Sequence, residues 1–145
     1  MVPSPAPEGF LPSLVAEAAK KSRVCWLSWL GSGQPRLVWH AWYDEALVVL
    51  SAAGEQGLPG LAEAGTVEVT MRSKDTGARL VSWTGSVEVV DPGTQRWDPH
   101  AAALLAVRLN LPDPTAARET WRAAGTVMRI APVVATGEPG PGPLP

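Results

Sequence analysis

Residues 35–51 read PRLVWHAWYDEALVVLS, and this stretch decides the fold. The pattern predicts a strand over residues 36–43, a tight polar turn at Asp44-Glu45, and a returning strand over residues 47–50. A glycine-rich loop, residues 52–61, follows directly. The hairpin therefore ends where backbone amides and short polar side chains can meet a phosphate group.

The flanking sequence predicts more strands and a few helices. Apolar residues at helical spacing predict a helix over residues 11–22. Asp98-Pro99 and Asp113-Pro114 each resemble an N-cap followed by proline, and predict two helices. Further strands are expected over residues 24–30, 66–72, 79–90 and 126–131, with a bend or bulge at Gly85. About six antiparallel strands with flanking helices favour a mainly β fold, a closed or partly open small barrel, over a doubly wound sheet.

Composition limits the domain organisation and the partners. The chain has 145 residues, 46% of them hydrophobic, which suits one compact domain over residues 11–133. Residues 1–10 are rich in proline and residues 134–145 in proline and glycine, so both ends are expected to be tails. A net charge of -2 gives no electrostatic reason to expect nucleic acid or an anionic membrane as a partner. No segment reaches the roughly 20 apolar residues of a membrane helix, so a cytoplasmic protein is expected.

The sequence offers no recognised catalytic group. The single cysteine, Cys25, excludes an intramolecular disulfide and lies in an apolar run, so it is expected to be a small buried hydrophobe. His40 and His100 lack a third ligand at suitable spacing, so no metal site is expected. No Gly-x-Ser-x-Gly elbow appears. The catalytic residues are therefore not identified.

The order of these elements resembles a known superfamily. A strand beginning Pro35-Arg36-Leu37-Val38, a strand ending at Ser51, and the glycine-rich loop after it are similar to the FMN-binding split barrels that include pyridoxamine 5'-phosphate oxidase. The likeness spans roughly residues 11–133. It implies a split β-barrel that forms a homodimer, with cofactor sites at the subunit interface.

The resemblance also implies site residues. The phosphate-binding arginine of the family falls on Arg36, the backbone of Val38 lies beside the flavin ring, and the hydroxyl after the next strand is that of Ser51. The basic residues of the family's loop fall near Gln56 and Gly57, where this chain departs from the pattern. The departure removes positive charge from the place expected to hold a phosphate.

The end of the strand over residues 66–72 could restore that charge. Arg72 and Lys74 are basic and Ser73 lies between them, although such a segment is also typical of a solvated hairpin end. The residues predicted to bind the cofactor are therefore Arg36, Val38, Ser51, Gln56, Arg72, Ser73 and Lys74.

Seven tryptophans accompany one phenylalanine and one tyrosine. Most are expected in the core, and Trp42 or Trp83 are the candidates for stacking on a flavin ring. His40 is a candidate proton donor beside such a ring, although a structural role is the simpler interpretation.

Three functions remain open. The first is an oxidoreductase that depends on FMN or on a deazaflavin cofactor. The second is a protein that binds flavin, haem or another planar ligand without turnover. The third is a cofactor-free structural dimer. The sequence does not identify a substrate.

Overall fold

The computed structural model describes residues 10–52, 55–73, 79–108 and 111–133. The prolines of both expected tails and Lys74 lie outside these ranges. These ranges contain four helices and seven strands. In chain order they are α1 Phe10–Lys21, β1 Val24–Ser28, β2 Arg36–Trp39, β3 Ala41–Tyr43, β4 Ala46–Ser51, α2 Leu61–Ala64, β5 Thr66–Ser73, β6 Arg79–Val90, α3 Trp97–Val107, α4 Pro114–Ala124 and β7 Thr126–Pro132.

All seven strands pair antiparallel in one sheet with the order β2-β1-β5-β6-β7-β4-β3. β2 and β3 are consecutive in the chain yet lie at opposite edges of the sheet. The sheet must therefore curl until its two edges meet. This arrangement confirms the predicted mainly β split barrel with flanking helices.

The single strand predicted over residues 36–43 is wrong, which is why seven strands replace the expected six. The chain changes partner at His40, because Val38 pairs with Cys25 of β1 whereas Ala41 pairs with Val48 of β4. His40 and Ala41 are both buried, so the alternation of a half-buried strand breaks there.

The apolar residues form two clusters, one inside the barrel and one outside it. The inner cluster includes Leu27, Val69, Met71 and Ile130, and α1 contributes Val15 to it. The outer cluster lies where α3 and α4 cover β4 and β7. Among the described elements, no helix covers the outer side of β1, β5, the first half of β6 and β2 as far as Leu37, whereas Trp39 at the end of β2 packs against Trp121 of α4. We call this surface the uncovered face; its side chains are Val24, Trp26, Ser28, Leu37, Glu68, Thr70, Arg72, Leu80, Ser82 and Thr84.

Of the predictions made for turns and helix ends, two are confirmed and one is wrong. Asp44 and Glu45 have φ of 54° and 64°, as a two-residue hairpin turn requires, so that prediction is confirmed. The side chain of Asp113 accepts a hydrogen bond from the N–H of Ala116 at 3.1 Å and caps α4 as predicted. The expected start of α3 at Asp98 is wrong: the helix begins at Trp97 with no side-chain cap.

Asp98 has another role. Its Oδ1 lies 2.7 Å from an Arg118 nitrogen and 2.7 Å from an Arg122 nitrogen, both on α4. The carboxylate therefore joins the two outer helices instead of capping its own. The guanidinium partners lower the pKa of Asp98 below its ordinary value. Within the ranges above, no helix is long and apolar enough to cross a membrane.

Candidate functional site

The outer edge of β2 is closed at one position by a side chain. The N–H of Trp39 donates to Oε1 of Gln56 at 3.0 Å, and Nε2 of Gln56 donates to the carbonyl of Trp39 at 3.0 Å. The amide of Gln56 thus makes the two hydrogen bonds that a neighbouring strand would make. Sequence reasoning placed Gln56 near a phosphate, whereas its side chain serves the sheet edge here.

Leu37 lies two residues before Trp39 on the same strand, so its N–H and C=O point to the same edge. Val38, in between, pairs with Cys25 of β1 and directs its backbone inward to the sheet. Among the residues that the structure describes, the outward N–H and C=O of Leu37 have no hydrogen-bond partner. An edge strand with an open donor and acceptor is a template for a ligand of complementary shape.

Sequence reasoning named Val38 for the backbone contact and missed Leu37. The signal that identifies Leu37 is the two-residue alternation of an edge strand. The alternation alone does not show which residues of β2 point their N–H and C=O to the outer edge. The hydrogen bonds between Trp39 and Gln56 decide this.

Arg36 stands at the start of β2, beside the loop after β4. Its guanidinium donates to the carbonyl of Gly57 at 3.0 Å, and its Cζ lies 5.9 Å from the centroid of the Trp29 ring. Ser51 Oγ accepts a hydrogen bond from the N–H of Leu58 at 3.0 Å. A hydroxyl that accepts in this way keeps its own hydrogen to donate. The structure therefore brings Arg36, Ser51 and the loop together at one end of the barrel.

A fourth contact fixes the loop from the side of α3. Nε of Arg108 lies 2.9 Å from Oε1 of Glu55, whose side chain is only 11% exposed. The Arg108 guanidinium also lies 6.0 Å from the Trp39 ring centroid. The described part of the loop, residues 55–58, is thus attached to β2, to β4 and to the end of α3 in the absence of a ligand.

Arg72 and Ser73 lie elsewhere in the same chain. Arg36 pairs with Leu27 and Leu27 pairs with Val69, which is three residues before Arg72. Strand spacing and rise then separate the Cα atoms of Arg36 and Arg72 by about 14 Å. Alternation from the buried Val69 also directs Arg72 to the uncovered face. Within one chain, the structure does not bring the two halves of the predicted site together.

The tryptophans divide by burial. Trp83 is 4% exposed inside the barrel, so it cannot stack on a ligand outside the core. Among the described residues its Nε1 has no hydrogen-bond partner. Trp42 packs against the inner cluster. Trp26 is half-buried on the uncovered face.

His40 occupies the junction between β2 and β3 and is 1% exposed. Its Nε2 lies 3.1 Å from the carbonyl of Ala19, and its backbone N–H donates to the carbonyl of Arg23 at 2.9 Å. Within the described ranges Nδ1 is buried and no hydrogen bond of good geometry reaches it, although the backbone of Ser22 lies close enough to raise the pKa of the ring. The imidazole therefore ties the barrel junction to the end of α1.

Burial lowers the pKa of His40 below its ordinary value of 6.5. In the unfolded chain the ordinary value returns, so below pH 6.5 the unfolded state binds a proton that the folded state resists. We expect the His40 contribution to the free energy of unfolding to be complete above pH 6.5 and to fall as the pH drops towards the folded-state pKa.

Urea unfolding of the wild type and of His40→Gln between pH 7 and pH 5 measures this dependence. Gln keeps a donor for the Ala19 carbonyl and does not titrate, so its stability curve should be flatter across this interval. Parallel curves for the two proteins would contradict a neutral buried imidazole.

Cys25 is fully buried, and burial raises the pKa of its thiol to about 12. The thiolate needed for nucleophilic chemistry is absent at neutral pH, and the prediction of a small buried hydrophobe is confirmed. No group of three or more potential metal ligands occurs within the described ranges.

Comparison with known proteins places this geometry in a structural family. A scan of family models and a search of curated proteins find no match. Solved structures do match. The heme storage protein HutZ from Vibrio cholerae superposes with a TM-score of 0.61 at 13% identity, over 83% of this chain and 89% of that one.

A putative pyridoxamine 5'-phosphate oxidase from Listeria innocua matches with a TM-score of 0.55 at 13% identity, over 84% of this chain and 93% of that one. An F420 reductase matches with a TM-score of 0.52 at 18% identity, over 81% and 91% of the two chains. These likenesses cover most of both partners in each comparison. The chain therefore has a divergent form of the split-barrel fold that these structures share.

Proposed function

We propose that the protein binds a phosphorylated flavin or deazaflavin at the edge of β2 and uses it as an oxidoreductase. The observation that carries the proposal is the open N–H and C=O of Leu37 next to the Arg36 guanidinium. The ring systems of these cofactors carry an amide-like edge that can pair with one strand residue, and their phosphate suits an arginine.

Each residue of this region has a binding role in the proposal. Leu37 orients the ring through its backbone, Arg36 and the Ser51 hydroxyl meet the phosphate, and Gln56 keeps the edge closed beyond the ring. The cofactor supplies the hydride or electron transfer when it is bound. No side chain of this chain is assigned as an acid or base.

Similar structures support a planar ligand without naming one. They include a heme storage protein, a putative pyridoxamine 5'-phosphate oxidase and an F420 reductase. The loop of this chain carries Gln56 and Gly57 where a phosphate would favour basic residues. That observation keeps a second function in view, a binder of haem or another planar ligand without turnover, and a third, a cofactor-free dimer.

A homodimer is part of the proposal. Leu37 is 59% exposed and Leu80 is 61% exposed, and both lie on the uncovered face. A second copy packed there would bury this apolar surface and would place residues of the partner near the edge of β2. Val24, Trp26 and Arg72 lie between Leu37 and Leu80 on the same face, so a ligand bound beside them would lie in the interface between the two copies. Analytical ultracentrifugation at micromolar concentration should give a dimer; a monomer would limit the site to one chain.

Replacing Leu37 with Pro tests the edge directly. An edge strand tolerates proline where the N–H points outward, so the fold should persist while one donor to the ring is lost. We expect affinity for the cofactor to fall about tenfold, the value of one hydrogen bond of roughly 1.4 kcal/mol. Leu37→Ala is the matched control, because it truncates the same side chain and keeps the N–H.

Visible absorbance and tryptophan fluorescence, followed during titration with FMN, the deazaflavin cofactor and haem, measure these affinities. Reduction of the bound ligand by a nicotinamide donor then separates an oxidoreductase from a passive binder. Tight haem binding with no flavin binding would select the second function. No binding of any of the three would select the third.

A further inference from the structure

A groove of about 520 Å³ opens on the uncovered face, where α1 ends, β1 begins and β5 ends. It is lined by Lys21, Ser22, Arg23, Val24, Trp26 and Arg72. Three of the six lining side chains are cationic and none is acidic. The groove therefore has a chemistry of its own, separate from the loop beside Arg36.

The arginines of the groove differ from the other arginines whose side chains the structure describes. Six arginine side chains each donate to a carboxylate or a carbonyl: Arg36, Arg96, Arg108, Arg118, Arg122 and Arg129. Arg23 and Arg72 have no such partner within the part of the chain that the structure describes. Lys21 reaches Glu17 one turn back, at 3.3 Å. Like charges that share a groove repel, and an anion relieves the repulsion.

Two of the lining residues, Val24 and Trp26, are apolar. Val24 is 43% exposed, and the Trp26 indole offers a flat surface beside it. An indole stacks on aromatic or conjugated groups, while guanidinium groups bind carboxylate or phosphate. The complementary ligand is thus an anion with a flat apolar body.

The groove adjoins the edge of β2. Trp26 pairs directly with Leu37, so their side chains are neighbours on the uncovered face. Directly opposed residues place their Cβ atoms about 5 Å apart. A ligand that lies on Trp26 would therefore end next to the residue whose backbone is proposed to orient the cofactor ring.

We propose that this groove is the substrate site and that the substrate is an aromatic or conjugated carboxylate or phosphate. The anionic group binds Arg23 and Arg72, the flat body lies on Trp26, and the far end of the body reaches the cofactor. This inference rests on the proposed function, because the ligand of the groove is a substrate only if the protein is an oxidoreductase. It also moves Arg72 from the cofactor phosphate, where the sequence placed it, to the substrate anion.

Isothermal titration calorimetry of the full chain with 2-naphthoate tests the groove without any cofactor. We expect 2-naphthoate to bind the wild type, and neutral 2-naphthalenemethanol to bind about tenfold more weakly or worse, because it lacks the charge-assisted hydrogen bonds. The double variant Arg23→Ala/Arg72→Ala should lose binding by a similar factor. Lys20→Ala/Arg96→Ala removes two charges outside the groove and should bind normally. Equal binding by both double variants would overturn the proposal.

FMN and the deazaflavin cofactor are titrated into the same variants. Unchanged cofactor affinity in Arg23→Ala/Arg72→Ala supports a separate substrate site. Lost cofactor affinity with unchanged 2-naphthoate binding would overturn it and return Arg72 to the cofactor. If no cofactor binds even to the wild type, the proposed function fails, but the 2-naphthoate result still decides whether the groove binds anions. Thermal melting of each variant confirms that the fold is intact.

Discussion

Replacing Gly85 with Ala should lower the free energy of unfolding by about 2 to 3 kcal/mol. Gly85 lies in the middle of β6 and is paired on both sides, with Val67 of β5 and Pro132 of β7. A Cβ at this position would collide with Cγ2 of Ile130 and would lie 3.2 Å from a ring carbon of Trp83. Both neighbours are buried, and the β-branched Ile130 has little freedom to move away.

Two further variants isolate this cause. Gly57→Ala adds the same methyl group where nothing lies within 4 Å, so stability should change by less than about 0.5 kcal/mol. Ile130→Leu moves the branch away from Cβ at constant volume, so it should recover part of the loss in the Gly85→Ala background. Urea unfolding measures all four proteins. A Gly85→Ala variant as stable as Gly57→Ala would contradict the packing described for this face of β6.

Replacing Arg36 with Ala should weaken FMN binding about 10- to 100-fold. This loss corresponds to one hydrogen bond between charged groups, which contributes about 1.5 to 3 kcal/mol. The guanidinium is held beside the loop by the Gly57 carbonyl and by the Trp29 ring, so it is positioned before the ligand arrives. Equilibrium titration followed by flavin fluorescence measures the loss.

Riboflavin lacks the phosphate, so measuring its affinity for the wild type and for Arg36→Ala completes a thermodynamic cycle that isolates the contact between Arg36 and the phosphate. The wild type should prefer FMN to riboflavin, and Arg36→Ala should lose that preference while its affinity for riboflavin changes little. Arg118→Ala is the control, because it removes an arginine on α4, away from the loop. A preference for FMN that survives Arg36→Ala would show that another group holds the phosphate.

The parts of the fold that follow local rules could be predicted from the sequence. The Asp44-Glu45 turn and the Asp113 cap depend on a few adjacent residues, so the printed sequence contains their cause. The break at His40 could not be read in this way, because it depends on which distant strand each half joins. Asp98 failed as a cap for a similar reason: its partners, Arg118 and Arg122, belong to another helix.

Gly85 shows an intermediate case. The glycine inside a long strand predicted a bend or bulge, but the pairing runs through Gly85 on both sides with no inserted residue. The actual reason for a glycine is the close approach of Ile130, which lies 45 positions away in the chain. The sequence thus indicated that Gly85 is a special position, but the reason for the glycine is visible only in the structure.

In the candidate site too, some residues could be predicted from the sequence and others could not. Arg36 and Ser51 were implied by the resemblance to the split-barrel family, and the structure brings both to the loop. The edge role of Gln56 and the open backbone of Leu37 depend on strand direction, which no local pattern reveals. The groove depends on three elements that meet through pairing, with Trp26 beside Leu37 on one side and Thr70 on the other.

Amide hydrogen exchange of Leu37, measured by NMR with and without the bound cofactor, tests the central claim most directly. Without ligand, the Leu37 amide should exchange rapidly, while the Val38 amide is protected by its pairing with β1. We expect saturating FMN or deazaflavin to slow exchange at Leu37 by about tenfold or more, as one new hydrogen bond requires. A cofactor that binds tightly and leaves Leu37 exchange unchanged would contradict the assignment of this edge as the cofactor site.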